Sequence, residues 1–486
     1  MSSPRPAGRP RALTRRRFLA ASAAAAGAAG AAAVLPGCGG SGGGGRGRVA
    51  IVGAGLAGLV AAYELERDGI EVVLLEARER AGGRVQTARN AFYGDQSAEL
   101  GGEYIDATHR VLLGYVRRLG LDLDDLRGRA GDLDRVLYAD GKARRYREAV
   151  TPEVLAEIDR FDASVDGLAA PLDPKDPVAR GAGLDRRSVA DLIEELNIED
   201  EARTLVERRL RDDYTVEPDR LSLLFHAART KLDARAPASG TDVFRIDGGN
   251  ERLVGALIDE LEAKVDIEAP VTSIDRRADG VTLSVDGVRE VQAQYCIVTA
   301  PLRLVSEIDF RPALPRRLAE AAAELQYGAA TKTPLQYGRR FWVSDGLDGG
   351  AVTDLPIGTT WEASTAQVGR AGILMSYASG DAGLRFGRLR DSERLAAAAT
   401  QVEQVFPDAE DRIRSGATAA WADERWSRGS YAAYAPGQVT RFWRALRRPV
   451  DRIYLAGEHC DSYTGYMEGA VRSGRRVARA IARGAR

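Results

Sequence analysis

Residues 49–87 read VAIVGAGLAGLVAAYELERDGIEVVLLEARERAGGRVQT and decide the fold. The short apolar run Val49–Val52 predicts a parallel strand that is buried on both faces. Three glycines follow at once, an Ala/Leu-rich segment then predicts a helix, and a second apolar run, Val72–Leu75, ends in Glu76. Strand, glycine turn, helix and strand in this order are typical of a βαβ unit that binds a dinucleotide.

Each conserved position of such a unit has a physical task that the residue found here can perform. Gly53 permits the tight turn, Gly55 lets backbone N–H groups approach a pyrophosphate, and Gly58 lets helix and strand pack closely. The N-terminus of the helix then stabilises the phosphate charge. Glu76 follows the glycines by about 20 residues, where a carboxylate accepts hydrogen bonds from a ribose.

The residues after Glu76 distinguish between the possible dinucleotides. They add a second glycine pair that ends in Gly83, and they add the basic residues Arg78 and Arg84. This segment resembles the FAD-binding signature of the flavin-containing amine oxidase family, in which the arginine after the glycine pair lies over the pyrophosphate. A nicotinamide enzyme has no use for this second element, so the resemblance implies FAD rather than NAD.

Three later segments extend the resemblance to FAD-binding residues along the chain. AELGGEYID, residues 98–106, resembles the Gly-Gly turn near the flavin through Gly101 and Gly102. A strand near Val271 matches the segment whose backbone contacts adenine. LAGEHCDSYTGYMEGAVRSGRRVA, residues 455–478, matches the family's strand, Gly-Glu turn and helix beneath the flavin ring through Gly457, Glu458 and Met467.

The resemblance implies an α/β fold with two interleaved lobes. One is a Rossmann-like FAD-binding domain of the glutathione-reductase type, and the other is a mixed α+β substrate-binding domain. The length of 486 residues is consistent with two lobes. We predict the FAD-binding domain at residues 48–106, 241–334 and 426–486, and the substrate-binding domain at 107–240 and 335–425. Within the first, we predict a helix over 251–264.

The candidate catalytic residues come from the same resemblance. Lys332 matches the family's lysine that holds a water against flavin N5, and Tyr431 and Tyr466 match the two tyrosines that flank the substrate amine. Trp421 is expected to pack beside the flavin. Ser430 stands where the mitochondrial monoamine oxidases carry the cysteine that links to the flavin, and serine forms no thioether. The FAD is therefore expected to be bound non-covalently.

Glu103 has two interpretations at this level. It binds a second ammonium group of a diamine substrate, or it caps a turn, and the second is the commoner task of an acidic residue in a short turn.

The N-terminus is interpreted as a targeting segment. Residues 14–19, TRRRFL, resemble the twin-arginine export motif, and LPGC, residues 35–38, resembles a lipobox whose Cys38 becomes lipidated. We therefore predict a signal peptide at 1–37 and a Gly-rich tether at 38–47, with the protein in the periplasm or on the outer face of the membrane. Two alternatives stay open, an uncleaved anchor over residues 20–35 and cleavage at an Ala-x-Ala site.

The charge balance argues against nucleic acid as a partner. Without the six arginines of residues 1–37, 63 basic residues face 70 acidic ones, a net charge of −7, which favours cationic ligands. The three histidines form no metal-ligand pattern, so we expect no metal. Beyond Cys38 only Cys296 and Cys460 remain, and their spacing does not indicate a disulfide.

The sequence thus predicts an exported FAD-dependent amine oxidase that uses oxygen as its acceptor and releases hydrogen peroxide and ammonia. Three alternatives remain. An L-amino-acid oxidase on the same fold requires an arginine such as Arg229 or Arg245 to point into the site and pair with the carboxylate. A desaturase-like enzyme shares the FAD signature, although Lys332, Tyr431 and Tyr466 argue against it. An FAD-binding protein without turnover is the third. The oligomeric state and the individual amine are not predicted.

Overall fold

A computed structural model of the chain describes residues 47–129, 131–234, 243–409 and 413–484. The predicted signal peptide, the lipobox at Cys38 and nearly all of the predicted tether lie outside these ranges. Among the described residues, no helix has both the length and the apolar character needed to cross a bilayer.

The described chain contains 21 strands and 16 α-helices. The strands are β1 Val49–Val52, β2 Val72–Leu75, β3 Thr87–Ala88, β4 Ala98–Glu99, β5 Leu123–Asp125, β6 Asp134–Ala139, β7 Lys142–Arg145, β8 Phe244–Ile246, β9 Val265–Asp266, β10 Val271–Arg276, β11 Val281–Val285, β12 Arg289–Ala293, β13 Tyr295–Val298, β14 Asp309–Arg311, β15 Ala330–Tyr337, β16 Leu347–Thr353, β17 Thr359–Glu362, β18 Gly372–Ser379, β19 Ile413–Gly416, β20 Ala419–Ala420 and β21 Ile453–Leu455. The α-helices are α1 Leu56–Arg67, α2 Arg110–Arg118, α3 Tyr146–Ala149, α4 Pro152–Ala169, α5 Val178–Gly181, α6 Val189–Glu195, α7 Asp200–Tyr214, α8 Leu223–Asp233, α9 Glu251–Asp259, α10 Leu302–Val305, α11 Arg316–Glu324, α12 Phe341–Ser344, α13 Gly380–Gly387, α14 Asp391–Val405, α15 Gln438–Phe442 and α16 Met467–Gly484.

A five-stranded parallel sheet brings together segments that are distant in sequence. Its order is β21-β13-β1-β2-β9, and β1 is the central strand. Val49 pairs in register with Val72 on one side and with Tyr295 on the other. Every residue of β1 is buried, as its continuous apolar run predicts. The carboxyl ends of β1, β2, β13 and β21 consequently meet at one edge, where open parallel sheets bind their ligands.

The remaining strands form a large mixed sheet, a four-stranded sheet and the two-stranded pairs β3-β4 and β5-β8. A sheet in the order β19-β15-β18-β17-β16-β6-β7, with β20 paired to β15, combines antiparallel pairs with one parallel pair, β6 with β16. A four-stranded sheet has the order β12-β11-β10-β14. This arrangement confirms the predicted α/β class with a mixed sheet beside the parallel one.

Two details differ from the sequence prediction. The predicted helix over 251–264 is wrong at its end, because α9 stops at Asp259 and the chain then enters β9 at Val265. The predicted domain boundary between residues 334 and 335 falls inside β15, a continuous strand whose eight residues are all buried. The domain limits themselves stay a prediction.

Helix α16 packs closely against α1 at Gly474, which contacts the backbone of Ala57. An added Cβ at Gly474 would stand 2.2 Å from the carbonyl oxygen of Ala57 and 3.2 Å from its Cα. Both atoms belong to backbone, which does not move aside without shifting a helix. The predicted helix at the C-terminus can therefore cover the glycine-turn unit only with a small residue at this position.

We expect Gly474→Ala to destabilise the protein by about 1–3 kcal/mol, since it overpacks the α1–α16 contact. The matched control is Gly255→Ala in α9, where an added Cβ meets nothing within 4 Å. That change should be neutral, or should stabilise by up to about 1 kcal/mol through helix propensity. Urea-unfolding midpoints measure both, and equal midpoints for the two variants would refute the proposed helix contact.

Candidate active site

One cavity of about 1000 Å³ contains most of the residues that the sequence singled out. It extends from the carboxyl edge of the parallel sheet to the mixed sheet, because residues of β1, β2, β15, β17 and β18 all line it. Of the predicted site residues, the lining includes Gly53, Gly55, Glu76, Arg78, Gly83, Arg84, Gly101, Gly102, Val271, Lys332, Trp421, Tyr431, Gly457, Glu458, Tyr466 and Met467.

The glycine turn leaves the start of α1 open to this cavity. Gly55 precedes the helix in an extended conformation, no side chain caps the helix, and its first turn carries no acid. Gly53 has φ = +103°, which a residue with a side chain rarely adopts. Gly58 does not line the cavity, and a Cβ there would stand 2.0 Å from the Gly53 carbonyl oxygen, so only glycine lets the turn close. The free N–H groups and the helix dipole suit a pyrophosphate.

Glu76 is buried at the end of β2 and is held in place by backbone donors. Its Oε2 accepts from the Ala54 N–H at 2.8 Å, and its Oε1 accepts from the Arg78 N–H at 2.9 Å. Each carboxylate oxygen keeps a further lone pair. The carboxylate is thereby oriented beside the glycine turn and can still accept from ribose hydroxyls.

The basic residues of the second glycine element reach across the cavity. The Arg78 guanidinium pairs with Glu424 and donates to Ser427 Oγ at 2.7 Å. The Arg84 Nη1 donates to the Ser430 carbonyl at 2.7 Å and to Glu458 Oε1 at 3.1 Å. Both arginines therefore tie the βαβ unit to the chain between residues 424 and 458.

The remaining predicted cofactor residues surround the same cavity. Glu458 is buried and also accepts from the Gly465 N–H at 2.9 Å, which positions the loop before α16. Trp421 Nε1 donates to the Leu100 carbonyl at 2.7 Å and so packs against the Gly101 turn. Met467 begins α16, and Gly102 faces it so closely that an added Cβ would stand 3.0 Å from its Cγ. Free N–H groups and two guanidinium groups as donors, together with two carboxylates as acceptors, fit a flavin dinucleotide.

Lys332 is a buried lysine at the mixed-sheet side of the cavity. It lies on β15 opposite Tyr377 of β18. Its ammonium group donates to the Gly101 carbonyl at 3.0 Å and to the Glu103 carboxylate at 2.7 Å, and it lies 5.4 Å from the centroid of the Trp361 ring. A lysine amine held by both a carboxylate and a carbonyl is fixed in position.

Glu103 is the counter-charge of this lysine, and neither of its two predicted tasks describes it. Besides Lys332, its carboxylate accepts from Arg245 at 3.2 Å and from Trp361 Nε1 at 3.0 Å. Burial opposes its ionisation, but the two cations outweigh burial and hold the pKa of the Glu103 carboxyl below its usual value. The residue therefore neither caps a turn nor remains free for a substrate ammonium.

Tyr431 and Tyr466 both line the cavity, and each makes a contact with a neighbouring residue that fixes its position. The Tyr431 hydroxyl donates to the Asp213 carbonyl at 3.1 Å. The Arg229 guanidinium lies over the Tyr466 ring at 3.7 Å from its centroid, a cation–π contact that covers one ring face. Burial raises the pKa values of both phenols, that of Tyr431 to about 12, so both stay neutral at physiological pH.

Ser430 lies between these groups and the βαβ unit. Its hydroxyl forms a 2.6 Å hydrogen bond with Thr215 Oγ1 inside the protein. The side chain at this position is therefore engaged with a threonine and offers no nucleophilic sulfur to a flavin.

Both arginines considered at the sequence level do point inward, and both are already engaged. Arg245 donates to the Ala363 carbonyl at 2.6 Å in addition to Glu103. Arg229 donates to the Thr464 carbonyl at 2.7 Å and lies 3.6 Å from Asp233.

Sequence reasoning missed four side chains of the cavity wall. Asp212 and Asp213 end α7, and Trp361 and Tyr377 come from β17 and β18. The pair of adjacent acids before a tyrosine, in an otherwise amphipathic helix, was the available signal. Without the fold, nothing distinguishes that pair from the many exposed acids of the chain.

No cluster of three or more His, Cys, Asp or Glu side chains suited to a metal occurs in the described ranges. Cys296 and Cys460 are buried and unlinked. Burial raises the pKa of the Cys460 thiol to about 12, which leaves it unreactive.

Comparison with known proteins gives a consistent result. Residues 56–482 match the sequence profile of the family described as flavin containing amine oxidoreductase. A Mycobacterium tuberculosis protein, provisionally named flavin-containing monoamine oxidase AofH, is 32% identical over 456 residues, which cover 89% of this chain and 96% of that protein. The L-amino-acid oxidase of Gloydius halys is 27% identical over 90% of this chain and 89% of its own.

Solved structures show the same similarity in three dimensions. Putrescine oxidase bound to putrescine superposes with a TM-score of 0.80 at 26% identity, over 90% of this chain and 98% of its own. Cyclohexylamine oxidase from Brevibacterium oxydans also gives a TM-score of 0.80 at 26% identity, over 90% of this chain and 99% of its own.

We expect Glu103→Gln to destabilise the fold by about 3 kcal/mol or more, because it leaves two buried cations without a counter-charge. Lys332→Met should destabilise the fold by less than Glu103→Gln, since Glu103 keeps Arg245 and the Trp361 N–H as partners. Urea-unfolding midpoints of the two variants test this order. A larger loss of stability in Lys332→Met than in Glu103→Gln would contradict the role of Glu103 as the shared counter-charge.

Proposed function

Because the chain belongs to the flavin-containing amine oxidoreductase family, we propose that it oxidises a primary or secondary amine to an imine and passes the electrons to oxygen. It is an oxidoreductase that acts on amines, and its cofactor is FAD. For a primary amine, hydrolysis of the imine then gives an aldehyde or ketone and ammonia, and reduction of oxygen gives hydrogen peroxide.

One observation carries this proposal. The glycine turn of β1 and α1, the buried Lys332, and the pair Tyr431 and Tyr466 line a single cavity. A bound FAD supplies a two-electron acceptor for the hydrogen on the substrate α-carbon. The reacting carbon and that acceptor must therefore meet in this cavity, where water is restricted and orientation is fixed.

The protein's own residues have separable tasks in this reaction. Tyr431 and Tyr466 present aromatic faces to the amine, and removal of the amine from bulk water favours its neutral form over the ammonium, whose pKa is ordinarily ~10. Lys332, which Glu103 keeps charged, holds a water or a proton donor near the flavin and assists reoxidation by oxygen. Glu76 and Glu458 hold hydroxyl groups of the cofactor, and the start of α1 holds its pyrophosphate.

The cofactor is proposed to be bound without a covalent link, since Ser430 forms no thioether and is engaged by Thr215. Acid precipitation should consequently release the flavin into the supernatant, and a flavin that stays in the pellet would contradict this part of the proposal.

The alternative of an L-amino-acid oxidase receives less support. A substrate carboxylate requires an arginine that offers a free pair of donors. Arg245 is engaged with Glu103 and Ala363, and Arg229 with Thr464, Asp233 and the Tyr466 ring. A desaturase-like reaction does not explain why a charged lysine and two tyrosines share the cavity.

Anaerobic mixing of the flavin-loaded protein with monoamines, diamines, polyamines and L-amino acids tests the proposal. We expect amines to bleach the flavin absorbance, L-amino acids to leave it unchanged, and admission of air to restore it with formation of hydrogen peroxide. The variant Lys332→Met should retain reduction by amines but slow reoxidation at least about tenfold. Bleaching by L-amino acids alone would transfer the assignment to the alternative, and no bleaching at all would overturn it.

We further propose that the protein is exported by the twin-arginine route and anchored through lipidated Cys38. The variant Arg15→Lys/Arg16→Lys should then remain in the cytoplasm. Cys38→Ser should be exported but should lose incorporation of labelled fatty acid. Export that is unaffected by the double substitution would refute the route, and labelling that persists in Cys38→Ser would refute the anchor.

A further inference from the structure

A single carboxylate in the cavity, that of Asp213, has no hydrogen-bond donor or salt-bridge partner among the described side chains. Asp213 is the second-last residue of α7 and lines the cavity with accessible surface. Its backbone carbonyl accepts the Tyr431 hydroxyl at 3.1 Å, so the residue adjoins one of the two proposed substrate tyrosines. The side chain is exposed and lines the cavity without a partner, so its carboxylate is open to a ligand group of opposite charge.

The neighbouring acid, Asp212, differs from Asp213 because its carboxylate has hydrogen-bond and ion-pair partners. It accepts hydrogen bonds from the hydroxyls of Thr359 and Ser379, and it lies 3.7 Å from Arg208 Nη1. Asp212 thus secures the end of α7 to the mixed sheet. Asp213 alone remains available to the cavity.

The charges around Asp213 do not neutralise it. Arg229 and Arg209 attract it, while Asp212 and Asp233 repel it. Both arginines are engaged elsewhere, Arg229 with Asp233 and Arg209 with Asp162. Burial is the largest influence and raises the pKa of Asp213 to about 7, so a cation brought beside this carboxylate is needed to favour its charged form.

We propose that Asp213 binds the distal ammonium group of a diamine or polyamine whose other amine is oxidised at Tyr431 and Tyr466. The inference rests on the proposed amine oxidation. A distal amine with a pKa of ~10 stays protonated, and a charge taken out of water requires a counter-charge. A monoamine with an apolar tail offers no positive charge to the Asp213 carboxylate and gains no binding free energy from it. Asp213 is thus a specificity determinant for a second positive charge.

The test compares substrates of equal length with one or two charges. Anaerobic flavin reduction yields an apparent Kd and a limiting reduction rate for 1,4-diaminobutane and n-butylamine, and for 1,5-diaminopentane and n-pentylamine. We expect the wild-type protein to bind each diamine more tightly than its matched monoamine. In Asp213→Asn, the Kd of the diamines should rise at least about tenfold, while the Kd of the monoamines and the limiting rates stay within about threefold.

A matched control removes a carboxylate from the neighbouring surface. Asp219 is exposed, lies just beyond α7 and does not line the cavity, so Asp219→Asn should leave every Kd unchanged. Equal weakening of diamines and monoamines in Asp213→Asn, or a wild-type protein with no preference for diamines, would overturn the inference.

Calorimetric titration of the same flavin-loaded proteins under anaerobic conditions separates this inference from the proposed function. Diamine binding that depends on Asp213 but reduces no flavin would uphold the ammonium site and overturn the oxidase. Reduction by all amines with equal affinity would uphold the oxidase and overturn the ammonium site.

The pH dependence supplies an independent readout. The carboxylate binds a cation only when ionised, so the preference for diamine over monoamine should increase as pH rises through about 7. Burial also raises the pKa of Glu99 to about 7, but Glu99 does not line the cavity, so any effect of its titration is expected to be the same for the two substrates and to cancel in the ratio of their Kd values. In Asp213→Asn the ratio should not change with pH, and a ratio that still rises would contradict the assignment.

Discussion

The close approach of α1 to the turn after β1 is the contact on which the remainder of the site depends. Gly58 brings the first turn of the helix so near the Gly53 carbonyl that no other side chain fits. This contact directs the uncapped start of α1 toward the carboxyl edge of the sheet, where β13 and β21 also end. A dinucleotide site results from backbone geometry, and the side chains around it add orientation and charge.

A buried ionic network connects this dinucleotide site to the mixed sheet. Glu103 follows the Gly-Gly turn, Arg245 lies on β8, and Lys332 lies on β15. The three side chains are buried, so each charge depends on the others for the solvation it has lost. The lysine that lines the cavity is consequently fixed in position by residues about 90 and 230 positions away in the chain.

The cavity separates its positive from its negative groups according to what they contact. The guanidinium groups of Arg229 and Arg245 are engaged by carbonyls, carboxylates and a ring face, although Nε of Arg229 has no hydrogen-bond partner. The carboxylate of Asp213 has no such partner among the described side chains. A cationic substrate therefore finds a free acceptor, and this asymmetry agrees with the acidic balance of residues 38–486.

The sequence by itself determined the βαβ unit, the cofactor and the set of residues that converge on the cavity. Glycine spacing, apolar runs and the acid after β2 are local features. The backbone geometry that they specify depends on residues that are close together in the chain. The bounds of β1 and β2 accordingly agree with the sequence prediction. The end of α9 was predicted too late, because helix propensity continues past the point where the chain must join β9.

Only the tertiary structure decided how the charged side chains are paired. From the sequence, Glu103 was interpreted as a turn cap or a ligand for a substrate ammonium. Its actual partners, Lys332 and Arg245, are distant in the chain and could not be identified there. Whether Arg229 or Arg245 was free for a carboxylate, and whether Asp213 faced solvent or a cavity, depended on the same long-range packing. The energy of a buried charge is set by which groups surround it in space, and a sequence without its fold does not contain that information.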